Sequence, residues 1–274
     1  MNKICLICGS ETIQNSNFTL KCKKCYFYIS NLKPGFGAPI EGIDDVRLDN
    51  FKKILELLKN EIKNDSKVLE IGPGKGLFIK LLTSKKIDIS GIEPGLEESK
   101  RLIKEGYKIF NYEFPLKNLS TIGKYDFIIF NDVIEHIPAS KLKETVKQCH
   151  SLLNKNGYLV INIPSSDGFF FKLSNILKFL KIDIFYERLW QKNLSSPHMV
   201  YFNSKNLNTF IKNNQFEIYK ESSLRSIGIN SKKRISHSIK NFFLQNVISL
   251  TLMLVYYFLK FLPQDVILKI YKKI

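Results

Sequence analysis

Four of the five cysteines form two C-x-x-C pairs, Cys5 with Cys8 and Cys22 with Cys25, and thirteen residues separate the pairs. Thiolates at this spacing can surround one zinc ion tetrahedrally, and four protein ligands leave no open position for catalysis. Because a segment this short cannot fold on a hydrophobic core, metal binding would supply its folding energy. We therefore predict a structural Zn²⁺ site in a small zinc-ribbon-like module over residues 1–35.

A glycine-rich turn, VLEIGPGKG, follows further along the chain. Gly72, Gly74 and Gly76 would let the backbone turn tightly and approach a ligand, and a helix that begins near Gly76 would offer free N–H groups. Taken alone, such a turn also serves NAD sites, flavin sites and purely structural turns. Glu93 lies seventeen residues beyond it, at the end of the next apolar run, where a carboxylate can accept both ribose hydroxyls of an adenosine ligand.

Short apolar runs alternate with helical patterns from the helix DNFKKILELLKNEI onward, for which Asp49 or Asn50 is an available N-cap. Strands that alternate with helices at this spacing indicate a parallel sheet with helices on both faces. The Pro/Gly-rich stretch NLKPGFGAPIEG precedes these elements and resembles a domain boundary. We therefore predict an α/β, Rossmann-like domain over residues 36–274.

The second half of this domain departs from regular alternation. An aromatic-rich segment at 165–202 is too long for an ordinary loop, and we interpret it as an inserted lid. A helix near Ser204 and a strand follow it. A long apolar helix is expected at 238–262, and the alternating residues of 264–274 predict a closing strand.

Four sequence motifs together resemble those of a known enzyme family. VLEIGPGKG, the acid of GIEP, YDFIIFNDVIEHIP and LLNKNGYLVINIP resemble, in this order, the motifs of class I S-adenosylmethionine-dependent methyltransferases. The resemblance covers roughly residues 50–226 and is strongest to small-molecule and glycan methyltransferases related to the ubiquinone O-methyltransferases. PHMVYFNSKNLNTFI also resembles the H-x-x-Y-F segment before their last helix.

The resemblance implies a set of cofactor-binding residues at the ends of the predicted strands. It gives Glu70 and Gly72 near the methionine end, Gly74 and Gly76 in the glycine turn, Glu93 on the ribose, Asn111 and Tyr112 beside the adenine, and Asn131 and Asp132 on the sulfonium side. The match at Asn111 and Tyr112 is loose, because the family more often has an aspartate in this region. Simple turn geometry remains an alternative role for Gly74 and Gly76.

S-adenosylmethionine carries an already activated methyl group, so the protein mainly has to align an acceptor and exclude water. If the acceptor is a hydroxyl, His136 in IEHIP is the candidate base. Alternatively, Glu135 and His136 cap and orient their loop. The residues expected to contact the acceptor, or else to form the core of the lid, are Trp190, His198 and Tyr201.

Forty-two Lys and Arg against 25 Asp and Glu give a formal net charge of +17, which favours anionic partners without specifying the fold. The leading function is methylation of a small-molecule or saccharide acceptor in the cytoplasm, since MNKICLICGS does not resemble an export signal. An RNA methyltransferase is the main alternative, because some ribosomal-RNA methyltransferases also carry an amino-terminal zinc knuckle. A degenerate methyltransferase-like binding module is the third.

The apolar helix expected at 238–262 suggests a peripheral contact with an anionic membrane surface. Its sequence contains a narrow polar stripe, and the basic residues Lys232, Lys233 and Arg234 precede it. We expect this helix to lie in the membrane plane at the inner face of the cytoplasmic membrane without crossing it, because the closing strand must return to the sheet. The alternatives are a homodimer interface or packing against the lid.

Overall fold

The computed structural model describes residues 4–38, 42–120, 122–226, 246–247, 258 and 261–274. A seven-stranded sheet forms the centre of the protein, in the order β10-β11-β8-β7-β4-β5-β6. The five neighbouring strands β8, β7, β4, β5 and β6 are parallel to one another, and β11 is antiparallel to both of its neighbours, β8 and β10. Their bounds are β4 Lys67–Ile71, β5 Asp88–Ile92, β6 Lys108–Phe110, β7 Tyr125–Asn131, β8 Leu153–Pro164, β10 Phe216–Leu224 and β11 Val266–Lys273. This arrangement confirms the predicted Rossmann-like α/β fold.

The strands form at apolar runs because both faces of the sheet are covered, as expected for parallel strands. Successive side chains point to opposite faces, so Val68 packs with one buried cluster while Leu69 and Ile71 pack with the other. The helices that provide this cover are α1 Asp44–Leu57, α2 Leu77–Ser84, α3 Leu96–Lys104, α4 Leu142–Leu152 and α7 Ser204–Lys212.

A second, four-stranded antiparallel sheet joins the amino-terminal segment to the lid. Its order is β1-β2-β3-β9, and its strands are β1 Thr12–Ser16, β2 Thr19–Cys22, β3 Tyr28–Ser30 and β9 Val200–Tyr201. Tyr28 pairs with Tyr201 and Ile29 pairs with Val200. The cysteine segment is therefore continuous with the lid and shares its hydrophobic core with the main sheet. The stretch NLKPGFGAPIEG, which resembles a domain boundary, gave no indication that the cysteine segment pairs with the lid.

The lid contains two helices, α5 Phe169–Phe179 and α6 Ile184–Leu189. Phe171, Tyr186 and Trp190 on their inner side pack against Phe18 and Tyr28 of the amino-terminal segment. The base of the lid is held by the chain that leads into β11, where Asp265 Oδ1 accepts the backbone N–H of Phe170 at 2.7 Å. The lid therefore contacts both the amino-terminal segment and the chain that leads into β11.

Helix α1 begins earlier than the sequence pattern indicated, so the assignment of Asp49 or Asn50 as N-cap was wrong. The helix begins at Asp44, and the acidic Asp44 and Asp45 lie in its first turn, where they complement the helix dipole. Asn50 instead donates its side-chain amide to the backbone oxygen of Arg225 and accepts the N–H of the same residue.

Most of the apolar helix expected at 238–262 lies outside the described residues. In the part of the chain that the structure does describe, the helices are too short or too polar to cross a bilayer.

Candidate active site

A cavity of about 150 Å³ opens at the carboxyl ends of β4 and β7. Ligands of open parallel sheets bind at this edge. The cavity contains both acidic and basic side chains, together with two aromatic rings. It is lined by Arg47, Phe51, Glu70, Gly72, Pro73, Gly74, Lys75, Leu77, Phe78, Asn131 and Asp132.

The glycine turn forms one wall of this cavity, and two of its glycines are required for different reasons. Gly74 has a φ of +51°, and a Cβ atom there would meet nothing within 4 Å, so its backbone is open to a ligand. Gly76 has a φ of +75°, and a Cβ atom would lie 2.4 Å from the side chain of Leu102. Gly76 therefore serves helix packing as well as the turn, which is the structural role that the sequence left open.

Glu93 holds the glycine turn in place. Its Oε2 accepts the N–H of Gly74 and its Oε1 accepts the N–H of Gly95, each at 2.8 Å. Glu93 is buried and does not line the cavity itself. Each carboxylate oxygen keeps a second lone pair, so the side chain can still accept hydrogen bonds from a ligand hydroxyl.

Glu70 and Asn131 meet at the bottom of the cavity, where Asn131 Nδ2 donates to Glu70 Oε1 at 2.9 Å. Burial raises the pKa of Glu70 to about 7, while the Asn131 hydrogen bond opposes this shift. Glu70 Oε2 and Asn131 Oδ1 are buried and have no partner among the described residues. Because buried polar atoms without partners are costly, this pair fits a ligand that carries hydrogen-bond donors.

Arg47 is a cavity residue that the sequence analysis missed. It lies on α1, and its Nε is 3.3 Å from Asp132 Oδ2. Asp132 has a φ of +54°, the left-handed region that non-glycine residues seldom occupy outside turns and functional sites. The sequence signal that could have identified Arg47 is an arginine in the helix before the glycine turn. The apolar pattern began this helix only at Asp49, so Arg47 was left outside it.

Asn111 and Tyr112 lie at the end of β6, outside the cavity lining. Asn111 Nδ2 donates to the backbone oxygens of Glu93 and Pro94, at 2.8 and 3.3 Å. Tyr112 is exposed. Asn111 thus stabilises the loop after Glu93, while the exposed ring of Tyr112 remains accessible to a ligand.

His136 follows β7 in a short 3₁₀ helix, Ile134–His136. Its Nδ1 is 3.0 Å from the backbone oxygen of Pro197. A carbonyl oxygen only accepts, so Nδ1 carries the proton and Nε2 keeps its lone pair. Burial lowers the pKa of His136; the charge of Asp132 opposes this shift and that of Arg47 adds to it. His136 is therefore neutral at neutral pH and lies within electrostatic reach of two cavity residues.

The other acceptor candidates lie behind His136, away from the cavity lining. The His198 ring meets the His136 ring edge-on at a centroid distance of 4.8 Å. His198 Nδ1 donates to the hydroxyl oxygen of Tyr201, which itself donates to Leu189, and His198 Nε2 accepts from Gln191. Tyr201 and the fully buried Trp190 belong to the aromatic core of the lid. This placement corresponds to the core role that the sequence left open for them.

The four cysteines of the C-x-x-C pairs come together as one cluster. The Sγ atoms of Cys5 and Cys25 are 3.6 Å apart, those of Cys8 and Cys22 are 3.5 Å apart, and all four lie within 4.8 Å of one another. Zn–S bonds of about 2.3 Å in a tetrahedron give S···S separations of about 3.8 Å. The donor set and its spacing therefore fit a Zn²⁺ ion, and all the cysteines are free of disulfide bonds.

Comparison with protein families identifies the fold of this site. The family model described as "Methyltransferase domain" matches residues 44–221, well over half of the chain. The chain belongs to this methyltransferase family. It is an S-adenosylmethionine-dependent enzyme, as the resemblance of its motifs implied. No curated protein sequence matches the methyltransferase significantly.

Solved structures similar to the methyltransferase share its fold at low sequence identity. A SAM-dependent methyltransferase from Archaeoglobus fulgidus is 18% identical, with a TM-score of 0.51, over 84% of this chain and 97% of that one. The cyclopropane synthase MmaA2 from Mycobacterium tuberculosis is 12% identical, with a TM-score of 0.56, over 81% and 83%. The magnesium protoporphyrin IX methyltransferase of Synechocystis PCC 6803 with bound SAH is 11% identical, with a TM-score of 0.52, over 84% of each chain.

Proposed function

We propose that the methyltransferase methylates a hydroxyl oxygen of a small-molecule or saccharide acceptor, with His136 as the general base. Bound S-adenosylmethionine supplies a methyl group activated by its sulfonium. Nε2 of His136 would accept the proton that the acceptor hydroxyl loses when its oxygen takes up the methyl group. The observation that supports this role is the bond from Nδ1 to the Pro197 carbonyl, which leaves Nε2 unprotonated.

The charges of the cavity support binding of the methionine end there. An amino acid carries an ammonium and a carboxylate, and the cavity offers acceptor atoms on Glu70 and Asn131 together with the cations Arg47 and Lys75. An ammonium beside Glu70 would favour its ionised form, since an opposite charge lowers the pKa of a carboxyl group. We assign the ammonium to Glu70 and the carboxylate to Arg47. The roles of Glu93 on the ribose, of Asn111 and Tyr112 beside the adenine, and of Gly72 remain part of this proposal.

A labelling experiment separates the proposed acceptor class from RNA. The purified enzyme is incubated with methyl-labelled S-adenosylmethionine and either an extracted metabolite pool or total RNA. We expect label in the metabolite pool, on a product in which one hydroxyl of the acceptor has become a methyl ether. Label found only in RNA would replace the proposal with the RNA alternative, and label in neither would contradict both acceptor classes.

Replacing Glu93 with alanine should weaken S-adenosylmethionine binding by about 1.5–3 kcal/mol, the range for hydrogen bonds that involve a charged group. The variant loses the ribose acceptor and also frees the N–H groups of Gly74 and Gly95. Calorimetry measures the affinity, with Glu97→Ala as control because Glu97 is an exposed acid on the adjacent helix. Equal affinities of Glu93→Ala and the parent, or tight NAD binding by the parent, would contradict the assignment.

The cysteine cluster would hold one structural Zn²⁺ through Cys5, Cys8, Cys22 and Cys25. With four thiolates as ligands the ion would keep no exchangeable water, so its role would be in stability and in shaping the acceptor side. The contacts from this segment to the lid support that second role. Ser30 Oγ donates to the backbone oxygen of His198 in the lid at 2.8 Å, and Asn203, the residue directly after the lid, donates its Nδ2 to the backbone oxygen of Cys25 at 3.0 Å.

A peripheral position at the inner face of the cytoplasmic membrane is also part of the proposal. It is supported by the net charge of +17 and by the basic and apolar sequence of residues 232–262. A homodimer through 238–262 is the competing arrangement. Light scattering of the purified protein, with and without vesicles, separates the two.

A further inference from the structure

The turn between the two lid helices exposes an unusual amount of apolar surface. All seven residues from 179 to 185, here called the lid tip, are exposed, and five of them are large and apolar. Phe179 is 85% exposed and Ile184 is 69% exposed; the other three are Leu180, Ile182 and Phe185. Contiguous apolar surface of this kind is rare on soluble monomers and marks sites of contact with proteins or membranes.

The core of the lid does not require these side chains. The opposite side of the same two helices carries Phe171 and Tyr186, which are buried against the amino-terminal segment. The tip is exposed on both sides of the turn, along seven consecutive positions. A partner helix would cover only one face of such a turn, whereas the interfacial region of a bilayer surrounds it completely.

The charge near the lid tip favours anionic lipid. Between Phe169 and Tyr186 the only acidic residue is Asp183, against three lysines. Lys172 and Lys181 are exposed and form no ion pair with any other residue that the structure describes. Lysines beside an apolar insertion are attracted to negatively charged headgroups, and the net charge of +17 acts in the same direction.

The residues that flank the predicted apolar helix 238–262 are held at the base of the lid. Ser226, the last described residue before it, donates its hydroxyl to Asp265 Oδ2 at 3.3 Å. After it, the backbone oxygen of Pro263 accepts the N–H of Phe169, the first residue of α5. Ser226 and Pro263, on either side of this stretch, therefore both lie beside the start of α5.

We propose that the lid tip inserts into the interfacial region of a bilayer with anionic headgroups. This contact is separate from the one assigned to residues 232–262 and does not depend on the identity of the methyl acceptor. Phe179 and Phe185 are the main apolar contacts, and Lys172 and Lys181 contact the headgroups. The lid that shapes the acceptor side of the active site is thereby held at the lipid surface.

Vesicle co-sedimentation of the full chain tests this proposal with the double variant Phe179→Ser/Phe185→Ser. The parent should bind vesicles that contain phosphatidylglycerol and should bind pure phosphatidylcholine vesicles more weakly. The affinity of the double variant for the phosphatidylglycerol vesicles should be at least roughly tenfold lower, because the two aromatic side chains that would move from water into the bilayer are gone. The matched control, Ile103→Ser/Ile274→Ser, removes exposed apolar residues elsewhere and should bind like the parent. Calorimetry with S-adenosylmethionine verifies that each variant is folded.

Tryptophan fluorescence locates the contact independently. The only native tryptophan, Trp190, is fully buried, so a Phe179→Trp variant adds a second, exposed reporter. Lipids with brominated acyl chains should quench this reporter and leave Ile103→Trp unquenched. An unquenched Phe179→Trp variant, or a double serine variant that binds vesicles like the parent, would overturn the proposal. The proposal would also be overturned if the parent protein did not bind vesicles and formed a dimer that dissociates in the double serine variant. The lid tip would then be an interface between two copies of the chain.

Discussion

Replacing His136 with alanine should lower turnover by roughly 10²–10⁴-fold, the usual size of a general-base effect. S-adenosylmethionine binding should stay nearly intact, because His136 does not line the cavity. Single-turnover kinetics with the acceptor found by labelling measures the chemical step, and calorimetry measures cofactor affinity. The reason for the large effect is that a hydroxyl oxygen becomes a strong nucleophile only as its proton leaves.

The pH dependence gives a second measurement of the same role. Burial lowers the pKa of His136 below its ordinary value of 6.5, so the neutral form that can accept a proton persists to lower pH. Turnover should rise with pH through this lowered pKa and be flat above it, so the rise should lie at lower pH than for an ordinary histidine. His136→Ala should remove this step from the profile.

His150 provides the matched control for His136, since it is a histidine at the end of α4, beside the carboxyl terminus. His150→Ala should keep both turnover and the pH profile. If His136→Ala retained turnover within a few-fold of the parent, His136 would instead have the loop-orienting role that the sequence left open. The buried Glu135, whose backbone oxygen accepts the N–H of Met199, already contributes to that role.

The parallel part of the fold could be predicted from the sequence because its signals are local. Each buried strand is a short apolar run, and each turn at the cavity edge carries residues that such a turn needs, such as Gly74 and Gly76. The ordered motifs also placed Glu70 and Asn131 at the ends of two predicted strands. In the structure these two side chains form a hydrogen bond in the cavity.

The proposed acceptor side could not be predicted in the same way, because it is built by contacts between distant parts of the chain. The strand pair β3–β9 joins residues 28–30 to residues 200–201, and two residues are too few to give a strand pattern. The tautomer of His136 depends on a backbone oxygen 61 residues away, at Pro197. Neither feature leaves a trace in residue type or spacing.

Aromatic residues in the lid were ambiguous for a different reason. Trp190 and Tyr201 have the composition of an acceptor pocket and also that of a small core. Only the partner strand decides between them, and here Phe18 and Tyr28 from the amino-terminal segment pack against them. Arg47 was missed because the pattern of apolar residues marks the buried face of α1, whereas Arg47 lies before its first buried residue, Asn50.

Replacing Cys22 with serine should remove zinc and lower the free energy of unfolding by more than about 4 kcal/mol, the size expected for the loss of a metal site. Cys22 is fully buried, and its Sγ lies 3.5 Å from that of Cys8. Elemental analysis measures the zinc content and chemical denaturation measures the stability. Cys149→Ala is the control, because this buried cysteine lies outside the cluster. It should keep one zinc per chain.

The Cys22→Ser variant also tests whether the zinc module supports cofactor binding, acceptor turnover or both. No residue of the 4–38 segment lines the described cavity, so S-adenosylmethionine affinity of folded Cys22→Ser protein should stay within a few-fold of the parent. Acceptor turnover should fall much further, because β3 pairs with β9 and Ser30 contacts His198, one residue after the Pro197 carbonyl that fixes His136. In limited proteolysis of the variant, the lid and the amino-terminal segment should become sensitive to cleavage together. Parallel losses of cofactor affinity and turnover would mean that zinc supports the whole fold, whereas unchanged turnover in zinc-free protein would remove the metal from the acceptor side altogether.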